Sequence, residues 1–352
     1  MDFGKTVIDW FYKNKRDMPW RKTKNPYLIW LSEIILQQTR VNQGLSYYEN
    51  FVQVFPNVAS LAEAPVDKVL KLWQGLGYYS RARNLHYSAR QIHFFNNDKI
   101  PDNYKDLLKL KGVGEYTAAA IASIAFNEPV AVADGNVQRV LSRIFCISSP
   151  VNSGEGKKAF KQKACTLLDE NRPGDFNQAL MEFGALHCTP LNPSCMNCPF
   201  AKDCCAFRRN EVEKYPVKQL RKKRKVRYFN YLRILYNNYT FLQKRTKNDI
   251  WNSLYQYPLI ESYNEMSNSD IKKTKEWKRF FPDYFSEVEI IDSSGIYTHN
   301  LTHQKILARF FTVKLKSLDK FDASDLIKVH KDELNKYAIP KLIDNYHKNI
   351  QV

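Results

Sequence analysis

From Phe3 to about Leu186 apolar residues recur at three- and four-residue spacing between short breakers, the period of helices that each bury one face. The pattern predicts helices over Leu28–Gln38, Val66–Trp73, Arg81–Phe95, Glu115–Phe126 and Val137–Phe145, with a further helix-like stretch at Pro101–Lys109. Asn25-Pro26 supplies a capping side chain and a first-turn proline to the first of these. Few segments alternate as strands do, so this part of the chain reads as mainly α. Beyond residue 228 the texture changes. Tyr228–Tyr236 and Phe310–Leu315 are rich in aromatic and β-branched residues and predict strands, while Asp325–Tyr346 again reads as partly helical. The expected organisation is a mainly α N-terminal domain over 1–207 and a smaller α+β domain over 228–352. Residues 208–227 between them hold ten Lys or Arg against two acids, a linker whose charge suits it to lie along DNA.

Charge extends that picture to the whole chain. Fifty-four Lys and Arg stand against 36 Asp and Glu, a net +18 over 352 residues, which favours a polyanionic partner. No apolar run approaches the ~18 residues of a spanning helix. The N-terminus mixes aromatics with Asp2, Asp9 and Asp17, unlike a secretory or mitochondrial leader. Nucleic acid and a cytoplasmic setting are therefore expected. Four of seven cysteines fall in one short stretch, Cys188-x6-Cys195-x2-Cys198-x5-Cys204. This spacing suits one tetrahedral metal or a cubane cluster better than disulfides. Zinc fits the spacing too, and Cys205 could replace Cys204 as the fourth ligand. Cys146 and Cys165, isolated in helix-like sequence, read as buried packing residues. The cysteine loop lies far in sequence from the carboxylates below, so its expected role is structural, holding Lys202 and its neighbours toward phosphates.

Three features carry chemistry. Leu110-Lys111-Gly112-Val113-Gly114 is a tight turn between two helical stretches, and its glycines tolerate positive φ and close backbone approach to a ligand. Amides there and at the next helix start would form an anion-binding nest for phosphate. Glu33 lies inside the apolar run Trp30–Leu36, where burial would raise its pKa and let it act as a general acid; an exposed helix stripe is the plainer alternative. Asp134, twenty residues past Gly114, reads as the N-cap of the helix beginning near Val137, and a capping carboxylate can also face a developing cation.

These segments occur in order with Gln37-Gln38-Thr39 and Leu76-Gly77-Tyr78-Tyr79-Ser80-Arg81, and together they resemble the adenine DNA glycosylase (MutY) family of helix-hairpin-helix glycosylases. The resemblance runs through nearly all of residues 1–207. It implies a 4Fe–4S cluster on Cys188, Cys195, Cys198 and Cys204, the five-residue last gap favouring Cys204 over Cys205. It implies that Glu33 protonates adenine N7 and that Asp134 stabilises the oxocarbenium-like sugar. It further places Tyr116 and Asn136 in the catalytic pocket and Trp20, Arg21 and Gln178 around an extruded adenine. Gln38, Thr39, Leu76 and Tyr78 become the wedge that props the duplex, beside Gly112, Val113 and Gly114 of the hairpin. Related enzymes that nick the strand carry a lysine where Tyr116 stands, so a monofunctional glycosylase leaving an abasic site is expected. Lys111 departs from the proline common in the family's hairpin. Residues 228–352 resemble the family's Nudix-like domain, with Leu301-Thr302-His303 where Phe-Ser-His is common; Thr302 and His303 would sense 8-oxoguanine. The Nudix hydrolase motif G-x5-E-x7-R-E-x2-E-E is missing, which argues against nucleotide diphosphate hydrolysis. The implied partner is duplex DNA with an 8-oxoguanine–adenine or guanine–adenine pair, bound by a monomer associated with the bacterial nucleoid.

Overall fold

A computed structural model describes residues 2–219, 224–282 and 288–350. Of the basic stretch 208–227, residues 220–223 lie outside the described residues. Contacts divide the chain into two compact units, Met1–Glu63 with Asn84–Arg221, and Ala64–Arg83 with Lys222–Val352.

The helices run α1 (Phe3–Asn14), α2 (Pro26–Leu36), α3 (Val41–Val54), α4 (Val58–Glu63), α5 (Val66–Leu72), α6 (Ser80–Asn96), α7 (Tyr104–Leu107), α8 (Glu115–Phe126), α9 (Gly135–Phe145), α10 (Gly154–Leu167), α11 (Pro173–Leu186) and α12 (Cys205–Arg208). In the first unit two helices are enclosed on nearly every side. In α2 every residue from Ile29 to Ile35 is buried, and in α8 every residue from Thr117 to Ile124. Helices apolar all round belong in a core, and any polar residue they carry is buried with them. Asn25 caps α2 as expected, its Oδ1 accepting from the Tyr27 amide at 2.9 Å. The stretch Pro101–Lys109 is helical only over the four residues of α7; the helix begins where Asn103 caps it, its Oδ1 accepting from the Asp106 amide at 2.9 Å. A second core layer joins α1, α9, α10 and α11 through Val7, Phe11, Val140, Phe160, Phe176 and Phe183. There α11 approaches α9 so closely that a Cβ at Gly184 would lie 2.7 Å from Asn136 Cβ.

The second unit is built on an eight-stranded mixed sheet: β1 (Lys225–Tyr236), β2 (Tyr239–Lys244), β3 (Tyr255–Gln256), β4 (Leu259–Ser262), β5 (Val288–Ser293), β6 (Tyr297–Asn300), β7 (Gln304–Leu315) and β8 (Ile327–His330). Its spine is the parallel pair β1–β7, in register from Lys225↔Gln304 to Leu235↔Lys314. Both faces of the middle of these strands are covered, which accounts for apolar residues at successive positions such as Tyr231-Leu232 and Phe310-Phe311. Phe229, Tyr231, Ile306 and Phe310 face a C-terminal helix, α15 (Lys341–Asn349), where Phe310 and Tyr346 stack at 3.8 Å. Leu232, Ile234, Phe311 and Val313 face α13 (Asn268–Lys272) and α14 (Lys275–Phe280) through Ile271, Trp277 and Phe280. The same unit takes in α5 and its flanks. Asp67 accepts from Lys244 Nζ at 2.8 Å and from the Tyr255 hydroxyl at 3.0 Å, and the Tyr79 hydroxyl donates to the Ile339 carbonyl at 3.2 Å. No helix among the described residues is long and apolar enough to cross a membrane.

Candidate active site

One cavity of about 940 Å³ in the first unit gathers residues from six elements, α3 among them through Val41, Asn42 and Gln43. Helix α2 contributes Glu33, the start of α8 contributes Tyr116, and the start of α9 contributes Asp134 and Asn136. Helix α11 adds Gln178, Met181 and Glu182, and a short helical turn at Pro19–Arg21 adds Trp20 and Arg21. Thr39 lines the rim. Gln38 is exposed and sits at φ 55°, a left-handed conformation uncommon outside glycine.

Three carboxylates share this cavity, and their surroundings treat them differently. Glu33 is 8% exposed, and burial raises its pKa to about 7; the Tyr116 hydroxyl and the Arg21 cation oppose that shift, while the Asp134 charge adds to it. Glu182 is buried as deeply, but Arg16 and Arg21 outweigh burial and hold it at about 2. Arg21 grips both its oxygens at 2.9 Å, and Arg16 Nε adds a bond at 2.8 Å. Asp134 caps α9, its Oδ1 accepting from the Val137 amide at 2.8 Å and its Oδ2 from Asn136 Nδ2 at 2.9 Å. Burial raises its pKa, and these donors with Arg139 pull the other way by favouring the anion. Glu33 is thus the carboxyl with the fewest donors and the one poised to carry a proton near neutrality. Glu182 is locked as an anion. Environments that push neighbouring carboxyls apart are what separates an acid from a charge stabiliser.

Arg139 ties this pocket to the cysteine loop. It donates to Asn136 Oδ1 at 3.0 Å, the Gly184 carbonyl at 2.6 Å and the Cys188 carbonyl at 2.8 Å. One turn on, Arg143 donates to the carbonyls of Thr189, Pro190, Val212 and Tyr215 and sits 3.5 Å from Cys188 Sγ. Cys188, Cys195, Cys198 and Cys204 line a common small cavity with apolar walls from Ile144, Phe183 and Phe207. Two expectations for the other cysteines are corrected. Cys146 is disulfide-bonded to Cys205, with Cα atoms 5.6 Å apart, because the left-handed C-cap of α9 meets the first residue of α12. Cys205 is therefore not a stand-in for Cys204. Cys165 is exposed rather than packed, since it falls on the solvent side of α10.

At the hairpin the two glycines serve different ends. Gly112 takes φ +85°, and an added Cβ would lie 2.6 Å from Asn84 Cβ. Gly114 caps α8 at φ −93°, so it does not use the positive φ expected of it; its Cβ position faces open space. Val113 between them is buried. Leu76, Tyr78, Thr302 and His303 belong to the second unit. Leu76 is buried; Tyr78 is 47% exposed at φ 47°, its hydroxyl 3.2 Å from Thr302 Oγ1, and His303 is exposed beside it.

Sequence reasoning missed Arg16, Arg139, Arg143, Met181 and Glu182. Glu182 had a signal: it interrupts the apolar run Ala179–Leu186 as Glu33 interrupts its own.

Residues 31–164 match the model of the HhH-GPD superfamily base excision DNA repair proteins, and residues 230–349 match the NUDIX domain. An adenine DNA glycosylase of Buchnera aphidicola (strain Sg) is 37% identical over 281 residues, covering 78% of this chain and 77% of that one. The human adenine DNA glycosylase is 42% identical over 220 residues, 60% of this chain and 40% of the human one. The chain belongs to the adenine DNA glycosylase family. Among solved structures, a thermostable thymine-DNA glycosylase superposes with a TM-score of 0.55 at 32% identity, covering 59% of this chain and 95% of that one. A non-covalent endonuclease III–DNA complex superposes at 0.51 and 18% identity over 59% of this chain and 94% of that one, a likeness of fold.

Proposed function

We propose that the protein removes adenine paired with 8-oxoguanine or guanine, hydrolysing the N-glycosidic bond and leaving an abasic site. The observation that carries this reading is the single cavity holding Glu33, at about 7, and Asp134, held by its cap. In this scheme the adenine is flipped between Trp20, Arg21 and Gln178, and unprotonated adenine is a poor leaving group. Glu33 delivers a proton to N7, the C1′–N9 bond breaks, and its electron pair leaves with the purine. The cation left on the sugar faces the Asp134 carboxylate until water adds its oxygen to C1′ and gives up a proton. Asn136 fixes Asp134 Oδ2, and Arg139 fixes Asn136. Tyr116 cannot form a Schiff base, and burial raises its pKa well above a phenol's ordinary value. No strand nick accompanies base release.

The wedge assignment draws support from backbone geometry. Gln38 and Tyr78 both hold left-handed conformations that cost on the order of 1 kcal/mol, a device more frequent at functional sites than elsewhere. Thr302 and His303, with Tyr78 at hand, are assigned to the base opposite adenine, and 228–352 to that sensing, with 1–207 carrying the chemistry and 208–227 joining them.

For the cysteine loop the donor set favours a 4Fe–4S cluster. Four thiols, Cys188, Cys195, Cys198 and Cys204, line one cavity with apolar walls, a donor set and a dry setting that suit such a cluster. Cys188, Cys195, Cys198 and Cys204 would hold the cluster, which would fix the loop that Arg139 and Arg143 also bind through its carbonyls.

The test is a duplex with one 8-oxoguanine–adenine pair. Free adenine should appear, and strand breaks only after alkali. Release of thymine from a guanine–thymine pair instead would favour the chemistry named for the thermostable structural neighbour.

A further inference from the structure

A second cavity of about 710 Å³ opens beside the catalytic one, and Tyr116 lines both. Its floor is apolar, from Ala131 and Ala133 on the segment leading to Asp134; its far wall is the first turns of α10 with Lys157, Lys158 and Lys161. Glu115, the first residue of α8, is the only acid among its lining residues. That acid is already engaged: Lys161 Nζ binds Glu115 at 2.7 Å and the Tyr104 hydroxyl at 3.3 Å. Lys157 and Lys158 are exposed and make no side-chain ion pair among the described residues. Two uncompensated cations therefore face a roomy cavity that begins where the Gly112-Val113-Gly114 hairpin ends.

A nucleotide whose base fills the Glu33–Asp134 cavity stays tethered through its sugar to two phosphates, and these must lie at the rim. One side of that rim is expected to be the hairpin, the phosphate grip read from the sequence. The other, past Tyr116, is this lysine cavity. Extending the glycosylase reading, on which it rests, we infer that the cavity between α8 and α10 is a second phosphate subsite for the adenine-bearing strand, gripped by Lys157 and Lys158. The chain is bent out of the duplex at this point, so its phosphates leave the regular spacing. Flexible lysine ammoniums follow such a path where fixed backbone amides cannot. Neither residue touches the base, so the grip acts equally on every sequence and positions the strand rather than reading it.

Counterion release supplies the measurement, since each neutralised phosphate adds about −0.9 to the slope of log affinity against log salt. Binding of the full chain to a duplex carrying a tetrahydrofuran abasic analogue is measured across salt concentrations for the wild type, Lys157→Gln/Lys158→Gln and a control pair on α1, Lys5→Gln/Lys13→Gln. The Lys157/Lys158 variant should lose about 1.8 from the magnitude of the slope, and the control should keep the wild-type slope. An unchanged slope, or an equal loss in the control, overturns the subsite. Single neutral methylphosphonates stepped along the analogue strand locate it. One or two linkages beside the analogue should weaken the wild type and leave the double variant indifferent. If both proteins weaken alike at every linkage, the strand assignment is wrong. If inorganic phosphate competes and no linkage matters, the cavity takes free phosphate and the assignment is equally wrong. Adenine release by the same wild-type preparation keeps failure of this subsite separate from failure of the glycosylase reading.

Discussion

Glu33 combines a raised pKa with the proposed role of proton donor, and both halves can be measured. Its value of about 7 against 4.5 for a free carboxyl means that the folded state binds the proton more tightly than the unfolded chain does. The stability penalty is absent below pH 4.5 and complete above about pH 7. At 1.36 kcal/mol per unit it amounts to about 3 kcal/mol. Glu33→Gln should therefore abolish adenine release yet raise stability by up to ~3 kcal/mol at pH 8 and by little at pH 4.5, read by denaturant melts at both. A variant less stable at pH 8 would show that the carboxylate is stabilised by its neighbours. Asp134→Asn separates cap from charge. Asparagine caps helices as well as aspartate does, so the melting temperature should hold while release falls on the order of 10²–10⁴-fold; a lost fold would make Asp134 a structural residue only. Glu33 was legible because an acid in an apolar run has few alternatives to burial. Glu182 sits in the same kind of run and was not read, because what fixes its role is Arg16 and Arg21, more than 150 positions away.

At the level of elements, helix periodicity located α2, α5, α6, α8 and α9 to within two residues of where they lie. Length was overestimated where a capping residue falls inside the stretch, as Asn103 does ahead of α7. The hairpin motif gave the place of the turn but only part of the reason for its glycines. Gly112 is required by its φ and by Asn84, while Gly114 leaves open space at the start of α8. Gly112→Ala should cost about 1–3 kcal/mol, since both the backbone and a side-chain root must shift, and weaken binding to duplexes with and without a mispair alike. Gly114→Ala should leave the melting temperature nearly unchanged and weaken duplex binding. If Gly114→Ala binds as the wild type does, the open space is not where a phosphate sits. The Cys146–Cys205 bond could not be read at all: its partners stand 59 positions apart in unrelated elements.

For the whole molecule, composition pointed to a polyanion and the change of texture near residue 228 to a second domain. Nothing in the sequence of 64–83 announces that it packs with the sheet. That packing complicates the obvious truncation: removing 228–352 would strip Lys244 and Tyr255 from Asp67 and the Ile339 carbonyl from Tyr79. Point variants are cleaner. Thr302→Ala with His303→Ala should narrow the preference for 8-oxoguanine over guanine opposite adenine while leaving base release from a guanine–adenine pair near its original rate; an unchanged ratio would remove the loop from sensing. All of this depends on Glu33 supplying the proton that frees adenine. The most direct measurement is single-turnover adenine release from an 8-oxoguanine–adenine duplex between pH 5.5 and 9, for the wild type and Glu33→Gln. The wild-type rate should fall about tenfold per unit above pH 7 and the variant should release none. A rate that keeps rising past pH 8, or wild-type release by the variant, would contradict it.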